Sequence, residues 1–216
     1  MEINLSKYGQ YKHDIFLKLN FNFIPGKKIL DIGCGDGSDA NIFIKEYKLN
    51  TYGIDVYKHK NIKKVPQLKF KKAGIYKIPY ADSTFDYIFL HDVLHHIDEK
   101  KQSYKKHIKA LNEIKRICKR GGYIIIVEGN RFNPLFYPHM VIMLGHNHFK
   151  QSYFKEIINK VFPQPIFKYF EAHLYPPLFL KIWNLSVKFK KISYHHIPRE
   201  KNTEADKLVN ETLDKQ

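Results

Sequence analysis

The sequence has little cysteine and no long apolar run, and both absences narrow the class of protein. Cys34 and Cys118 are the two cysteines of the 216-residue chain, and they lie too far apart to indicate a disulfide framework or a zinc-ligand spacing. No run of about 18 or more apolar residues is present, as a membrane-spanning helix would need. The first residues, MEINLSKYGQ, lack the apolar centre of a secretory signal. We therefore expect a cytoplasmic protein.

Acidic residues and arginine are also scarce, while lysine is abundant. The formal net charge is +16, and residues 58–72 contain seven lysines and no acid. A basic surface of this kind attracts nucleic acid or anionic lipid, so RNA binding and a peripheral membrane contact are two alternatives. Specific recognition of phosphate and bases favours arginine, and the chain has only four. Solvated surface lysine is therefore the preferred interpretation.

Short apolar runs alternate with longer amphipathic segments through about the first 130 residues. This alternation is typical of βαβ units and predicts an α/β fold with a mostly parallel sheet covered on both faces. Strands are predicted at residues 28–32, 51–55, 68–72, 85–90, 123–127 and 166–173. Helices are predicted at residues 11–23, 36–47, 103–119 and 152–161, and we expect Gly121 and Gly122 to close the third helix.

The length favours one domain, which we place at residues 1–198, with a polar tail at residues 199–216. Residues 130–150 are rich in aromatics, histidine and proline and have no clear period, which predicts an insert or lid at an active site. A further amphipathic helix is predicted at residues 177–190.

The strongest local signal is the segment ILDIGCGDGSDA at residues 29–40, where a predicted strand runs into three glycines and then a helix. Gly33, Gly35 and Gly37 allow a tight turn and let the backbone approach a ligand without side chains between them. The usual dinucleotide fingerprint would place its third glycine at position 38, which is Ser38. Asp55 ends the second predicted strand, where a carboxylate accepts hydrogen bonds from ribose hydroxyls. These residues predict a nucleotide-like ligand other than NAD.

Four blocks together resemble the class I S-adenosylmethionine-dependent methyltransferases, and in particular their type 11 small-molecule branch. They are the glycine turn, Asp55 with the following Val56, KIPYADSTFDYIFLHDVLHHI at residues 77–97, and EIKRICKRGGYIIIVEGN at residues 113–130. The resemblance implies a Rossmann-like, doubly wound fold and S-adenosylmethionine as methyl donor. Many relatives have an acidic residue for the adenine amino group where this chain has Gly74, which leaves backbone groups of Gly74 and Ile75 for that contact.

On this basis one set of residues is expected to bind the methyl donor, with Asp31 near its ammonium group and Val56 against its adenine. An alternative role for Asp31 is to stabilise the turn or cap the following helix. The expected donor-binding residues are Asp31, Gly33, Cys34, Gly35, Gly37, Asp55, Val56, Gly74, Ile75 and His91.

Histidines follow the fourth predicted strand, at the sheet edge where ligands of such folds bind. We predict a catalytic base among His91, His95 and His96, and each of them has packing or solvent exposure as its alternative role. His139, His146 and His148 in the insert have irregular spacing, so no metal site is predicted.

The sequence predicts a methyltransferase that acts on a small or lipid-like acceptor, because the insert is apolar and aromatic. Whether oxygen, nitrogen or carbon is methylated stays open. One rival is an RNA methyltransferase, although the Asn-Pro-Pro-Tyr type of block is replaced by His91-Asp92-Val93-Leu94. Another rival is a binding module that keeps the fold without catalysis. No obligate protein partner is evident from the sequence.

Overall fold

The computed structural model describes residues 5–99, 101–131 and 148–169, and within residues 5–11 it describes the backbone alone. In chain order the elements are α1 (Leu5–Leu19), β1 (Lys28–Ile32), α2 (Ser38–Lys45), β2 (Asn50–Asp55), β3 (Lys69–Lys72), β4 (Phe85–His91), α3 (Tyr104–Ile117), β5 (Cys118–Val127) and α4 (Gln151–Val161). Short 3-10 turns occur at Lys60–Lys64 and Leu94–His96. Among these residues, no helix is long and apolar enough to cross a membrane.

The five strands form one parallel sheet in the order β3-β2-β1-β4-β5. From β1 the chain winds outwards to β2 and β3, and it then returns to place β4 beside β1 and β5 beyond β4. The winding direction therefore reverses between β1 and β4, which makes the sheet doubly wound and confirms the predicted class. Ligands of such sheets bind outside the carboxyl ends of the strands at this switch point. A ligand-binding site is therefore expected at the carboxyl ends of β1 and β4.

Apolar side chains cover both faces of the sheet. Phe16 of α1 and Phe43 of α2 pack with Phe89 on one face, while Leu111 of α3 packs with Leu90 on the other. Phe89 and Leu90 are neighbours in β4, both are fully buried, and they point to opposite faces because side chains alternate along a strand. This double burial explains why β4 is a nearly continuous apolar run.

The prediction that Gly121 and Gly122 close α3 is wrong. α3 ends at Ile117 and β5 begins directly at Cys118, so both glycines lie inside the strand. β5 pairs with β4 through Cys118 and again from Tyr123, and the register shifts between these two points. Gly121 has a φ of +76°, as suits a residue that bulges out of a strand. The glycine pair marks a bulge.

Helix boundaries account for most other differences from the prediction. α1 occupies Leu5–Leu19 where residues 11–23 were expected. α2 begins at Ser38 and not at Asp36, because the Asp36 side chain accepts hydrogen bonds from the Ser38 amide and hydroxyl and holds a turn before the helix. Residues 166–169 of the predicted sixth strand are not in a strand. Most of the predicted insert, the helix at residues 177–190 and the tail at residues 199–216 lie outside the described residues.

One arginine of α3 fastens the loop that leads into β4. The Arg116 guanidinium donates hydrogen bonds to the carbonyl oxygens of Ile78 and Tyr80, at 3.1 and 3.0 Å, and to the carboxylates of Glu113 and Asp82, at 2.8 and 2.6 Å. The hydrogen bond from Arg116, opposed by partial burial, holds the pKa of Glu113 below its usual range. These contacts depend on the planar guanidinium group of arginine, whose N–H donors point in fixed directions. The ammonium group of a lysine does not reproduce this geometry.

We expect Arg116→Lys to lower the free energy of unfolding by about 1–2 kcal/mol, because a lysine cannot serve both carbonyl oxygens and both carboxylates. Urea unfolding followed by circular dichroism measures the change. The matched control is Arg120→Lys at an exposed position of β5, for which we expect a change within about 0.5 kcal/mol. Equal urea midpoints for Arg116→Lys and the parent protein would contradict the role given to the guanidinium.

Candidate functional site

The loop between β1 and α2 makes a tight turn at the switch point of the sheet. Gly33, Gly35 and Gly37 have φ values of +70°, +49° and +84°, a region that glycine adopts without a Cβ clash. The amides of Gly33 and Cys34 donate to the carbonyl oxygen of Ile54 at 2.8 and 3.1 Å, which ties the turn to β2. The Cys34 side chain is buried in a small apolar cluster beside the turn, and its carbonyl oxygen accepts a hydrogen bond from the amide of Gly37, at 2.8 Å, so this residue stabilises the turn itself.

The glycines of this turn are needed for different reasons. A Cβ on Gly33 would lie 2.5 Å from Cγ2 of Val93, so this position is closed by packing against the chain after β4. A Cβ on Gly35 would meet only the carbonyl oxygen of Gly33, at 3.9 Å, and would otherwise point into open space. Gly35 therefore borders a space that a ligand can fill at close range to the backbone.

Asp55 lies next to this space at the end of β2. Its carboxylate accepts hydrogen bonds from the amides of Gly35 and Tyr57, both at 3.0 Å, which fixes its orientation. The side chain of Val56 is 69% exposed, and a Cβ on Gly74 would lie 3.9 Å from it. The structure thus brings together the carboxylate predicted for the ribose and the apolar residue and glycine predicted for the adenine. Ile75, half-buried, follows Gly74.

A group of buried charged side chains forms the floor of the turn. Asp31 at the end of β1 and Asp39 in α2 are 1% and 4% exposed, and Lys12 of α1 forms an ion pair with Asp39. His91 Nδ1 lies 3.1 Å from the same oxygen of Asp39. Asp31 Oδ2 and Asp39 Oδ1 are buried and have no hydrogen-bond partner among the described residues.

These groups have shifted pKa values whose directions follow from the arrangement. Burial and the neighbouring Asp39 carboxylate raise the pKa of Asp31 well above its usual range, against the opposing effect of Lys12. Burial also acts to raise the pKa of Asp39, but the hydrogen bond from His91 and the charge of Lys12 outweigh it and lower that pKa. Among the described side chains, the two acids therefore share the ammonium group of Lys12, and Asp31 has no ion pair of its own.

A ligand with a cationic group would complete this floor. Its ammonium would give Asp31 the hydrogen bond and the positive charge that it lacks, while the open space beside Gly35 would take the nucleoside part. The donor set therefore fits S-adenosylmethionine, which carries an amino acid group and an adenosine in one molecule. Sequence reasoning named Asp31 and His91 for this end and missed Lys12 and Asp39, whose convergence depends on the docking of α1 and α2.

The structure places the three histidines predicted as catalytic in different surroundings. His91 belongs to the charged floor with Asp39, at the donor end. His96 is exposed by 52% on its side chain and lies 3.6 Å from Glu99. His95 is buried, with Nδ1 at 2.7 Å from Oε2 of Glu128. The prediction of a base among them stays a prediction, and only His95 lies in a buried position away from the donor floor.

Glu128, which follows β5, is the residue that sequence reasoning missed at the other end of the site. Its Oε1 accepts hydrogen bonds from the amides of Val93 and Leu94, at 3.1 and 2.7 Å, and its Oε2 contacts His95. Burial raises the pKa of Glu128, opposed by His95. For His95, burial acts to lower the pKa, but the hydrogen bond and the charge of Glu128 raise it. A lone acid in the segment VEGN gave no signal of this contact.

The doubly wound sheet, with its glycine turn and an aspartate at the end of β2, has the fold of class I methyltransferases. Residues 30–126, which are less than half of the chain, match the family model described as a methyltransferase domain. This match supports S-adenosylmethionine as the methyl donor. A second model, described as reverse transcriptase-like, matches residues 172–212, which lie outside the described residues.

Curated relatives carry the same kind of domain. The chain is 30% identical to an uncharacterized methyltransferase of Schizosaccharomyces pombe over 51% of this chain and 43% of the relative. It is 29% identical to a sterol 24-C-methyltransferase of Gibberella zeae over 54% of this chain and 31% of the relative. The chain therefore matches less than half the length of each of these relatives.

Solved structures agree on the fold. A methyltransferase of Haloferax volcanii in complex with its activator Trm112 has a TM-score of 0.57 at 16% identity, over 70% of this chain and 67% of that one. Phosphoethanolamine N-methyltransferase 2 of Haemonchus contortus, bound to phosphomonomethylethanolamine and S-adenosylhomocysteine, has a TM-score of 0.53 at 22% identity, over 69% and 36%. At these identities the likeness concerns the fold alone.

We expect Gly35→Val to weaken S-adenosylmethionine binding by well over tenfold, because the new side chain would project into the space beside the turn. Isothermal titration calorimetry measures the affinity. Gly26→Val is the matched control. Gly26 has a φ of +80°, nothing lies within 4 Å of its Cβ position, and it precedes β1 at the amino ends of the strands, away from the glycine turn. Equal affinities for the two variants would argue against the ligand position.

We expect Asp31→Asn to weaken donor binding by about tenfold or more and yet to stabilise the ligand-free protein, by about 1 kcal/mol. The folded-state pKa of Asp31 lies above its unfolded value, so its ionised form costs stability at neutral pH. That cost begins to fall as the pH drops below the folded pKa and is gone below the unfolded pKa, so the stability difference between variant and parent should shrink in the same direction. Calorimetry with the donor and thermal unfolding at several pH values test both parts, and lower stability of the variant at pH 7 would contradict the assignment.

Proposed function

We propose that the protein transfers a methyl group from S-adenosylmethionine to a small or lipid-like hydrophobic acceptor. The observation that carries the proposal is the acidic floor under the glycine turn, where buried Asp31 lacks the cation that the donor's amino group provides. The donor supplies a methyl group on a positively charged sulfur, which a nucleophile can accept. The protein's part is then to hold donor and acceptor in line and to exclude water from the reacting atoms.

The acceptor end of the site would lie at the carboxyl ends of β4 and β5. His95 and Glu128 form a buried, hydrogen-bonded pair there, and the charged floor with His91 occupies the donor side. A buried carboxylate that holds an imidazole ring in one orientation is a common arrangement for control of a proton. We assign this pair to the proton that an acceptor hydroxyl or amine loses when it is methylated.

Surface lysines give less support to an RNA substrate. Lys69 and Lys71 belong to β3, the edge strand of the sheet, and their ammonium groups lie 4.7 and 4.3 Å from the ring centroids of Tyr52 and Tyr80. Lysines on an edge strand hinder unwanted strand pairing, and here they also pack on aromatic rings. These lysines have a structural explanation, and a small acceptor is the better supported class. The sterol methyltransferase among the relatives is consistent with a lipid-like acceptor.

The proposal is tested by incubating the protein with methyl-labelled S-adenosylmethionine and fractionated cell extract. We expect the label to enter a small molecule that partitions into organic solvent. Label in RNA, with binding that weakens steeply as salt rises, would replace the proposal by the RNA alternative. Donor binding without label in any fraction would favour a binding module.

Two controls sharpen this experiment. The Gly35→Val protein should label nothing, which separates transfer by this site from a contaminating enzyme. Extract from which proteins have been removed should still be labelled, because the acceptor is a small molecule. Labelling that needs an added protein fraction would instead point to an activator, as in the Haloferax volcanii complex.

A further inference from the structure

Four side chains with metal-ligand chemistry converge at the carboxyl ends of β4 and β5. Asp92 directly follows β4, His95 lies in the next 3-10 turn, Glu128 follows β5, and His148 precedes α4. One ligand atom from each of these residues lies within 4.8 Å of the other three. The four come from three separate parts of the chain, so their spacing in the sequence gives no sign of the cluster.

The cluster is compact and mostly closed. His95 Nδ1 lies 2.7 Å from Glu128 Oε2, and the ring centroids of His95 and His148 are 4.0 Å apart. The side chains of His95 and Glu128 are 2% and 3% exposed, and His148 is 3% exposed. Asp92 is the exception, since 41% of its side chain faces solvent. An ion would reach the cluster from the side of Asp92.

We propose that Asp92, His95, Glu128 and His148 bind one divalent transition-metal ion, of which Zn²⁺ and Mn²⁺ are the candidates to be tested. Two imidazoles and two carboxylates suit such ions, while Mg²⁺ and Ca²⁺ prefer oxygen ligands alone. Two carboxylates also balance the charge of a divalent ion in a buried place. This goes against the expectation of no metal site, which rested on the spacing of His139, His146 and His148.

The distances allow this ion with a small adjustment. Metal bonds of about 2.0–2.2 Å place two ligand atoms at most about 4.4 Å apart, so ligand atoms that lie within 4.8 Å of one another need to close by at most a few tenths of an ångström. A hydrogen-bonded pair without metal accounts for His95 and Glu128. That pair alone does not bring His148 to the same point, and Asp92 is in addition fixed by the hydrogen bond that its Oδ1 accepts from the amide of Gly129, at 3.1 Å.

The position of the cluster suggests what the ion would do in the reaction, and this part of the inference rests on the proposed function. β5 lies two strands from β1, so the cluster is roughly 10 Å along the sheet from the glycine turn, on the acceptor side. With the metal bound, His95 and Glu128 would act as its ligands and would no longer take the acceptor's proton. The ion would bind an oxygen of the acceptor and lower the pKa of its hydroxyl, so that the proton leaves to water before the oxygen is methylated. The acceptor class would then be an alcohol, a phenol or an enol.

The experiment measures binding of the metal alone. Protein stripped with a chelator and then freed of it is titrated with Zn²⁺, Mn²⁺, Mg²⁺ and Ca²⁺ by calorimetry. We expect one site per chain for Zn²⁺ or Mn²⁺ and none for Mg²⁺ or Ca²⁺. His148→Gln and Asp92→Asn should each weaken that binding by about tenfold or more. The control is His13→Gln, which removes a histidine whose side chain is 52% exposed and should leave the affinity unchanged.

A stability measurement protects the test against variants that misfold. At a metal concentration about a hundred times the Kd, the melting temperature of the parent protein should rise by roughly 5–10 °C, and chelator should reverse the rise. Both variants should melt cooperatively and show about half of this rise or less, because a site that is about tenfold weaker is then only about ten times above its own Kd. Binding that is equally strong in both variants would show an adventitious surface ion and overturn the inference, as would the lack of any binding.

The metal test is distinct from the test of methyl transfer. A protein that binds S-adenosylmethionine and labels a small acceptor without any metal site would sink this inference and leave the proposed function standing. A protein that binds the metal but transfers no methyl group would keep the site and remove the role given to it in the reaction.

Discussion

The site depends on an unbalanced set of buried charges at the end of β1. Among the described side chains, Asp31 and Asp39 share the ammonium group of Lys12, so the ligand-free domain buries an aspartate that has no ion pair of its own and whose pKa is raised. Burial of a charge without a partner is costly, and a fold tolerates it where a ligand repays the cost. Four parts of the chain meet around these charges. β1 contributes Asp31, α1 contributes Lys12, α2 contributes Asp39, and the glycine turn packs above them.

The glycine turn gives the site its shape beside these charges. Gly33 lets the chain after β4 pack against the turn, and Gly35 leaves room for a ligand beside Asp55. The first glycine therefore couples β1 to the acceptor side through Val93, whose amide is in turn held by Glu128. Donor and acceptor ends are connected by backbone contacts over a short distance, which suits a reaction that depends on alignment.

The acceptor end has a different physical character from the donor end. At the proposed donor end, two buried aspartates lie near the single ammonium group of Lys12. At the proposed acceptor end, two imidazoles and two carboxylates lie close together, from His95, His148, Glu128 and Asp92. The first arrangement suits the binding of an organic cation. The second suits the binding of a metal ion or the transfer of a proton. The proposal of a small-molecule acceptor uses both ends of the site, and Lys69 and Lys71 of the basic surface pack on tyrosine rings at the edge of the sheet.

The sequence alone determined the class of fold, the glycine turn and the placement of two aspartates at the ends of β1 and β2, because strand periodicity and short motifs are local properties of the chain. Local patterns misplaced the Gly121 bulge, since pairing with β4, rather than helix propensity, fixes that segment. Only the tertiary structure decided which polar groups meet. Lys12 reaches Asp39 when α1 docks on α2, and Glu128 reaches His95 because β5 lies beside β4, and both contacts join residues far apart in sequence.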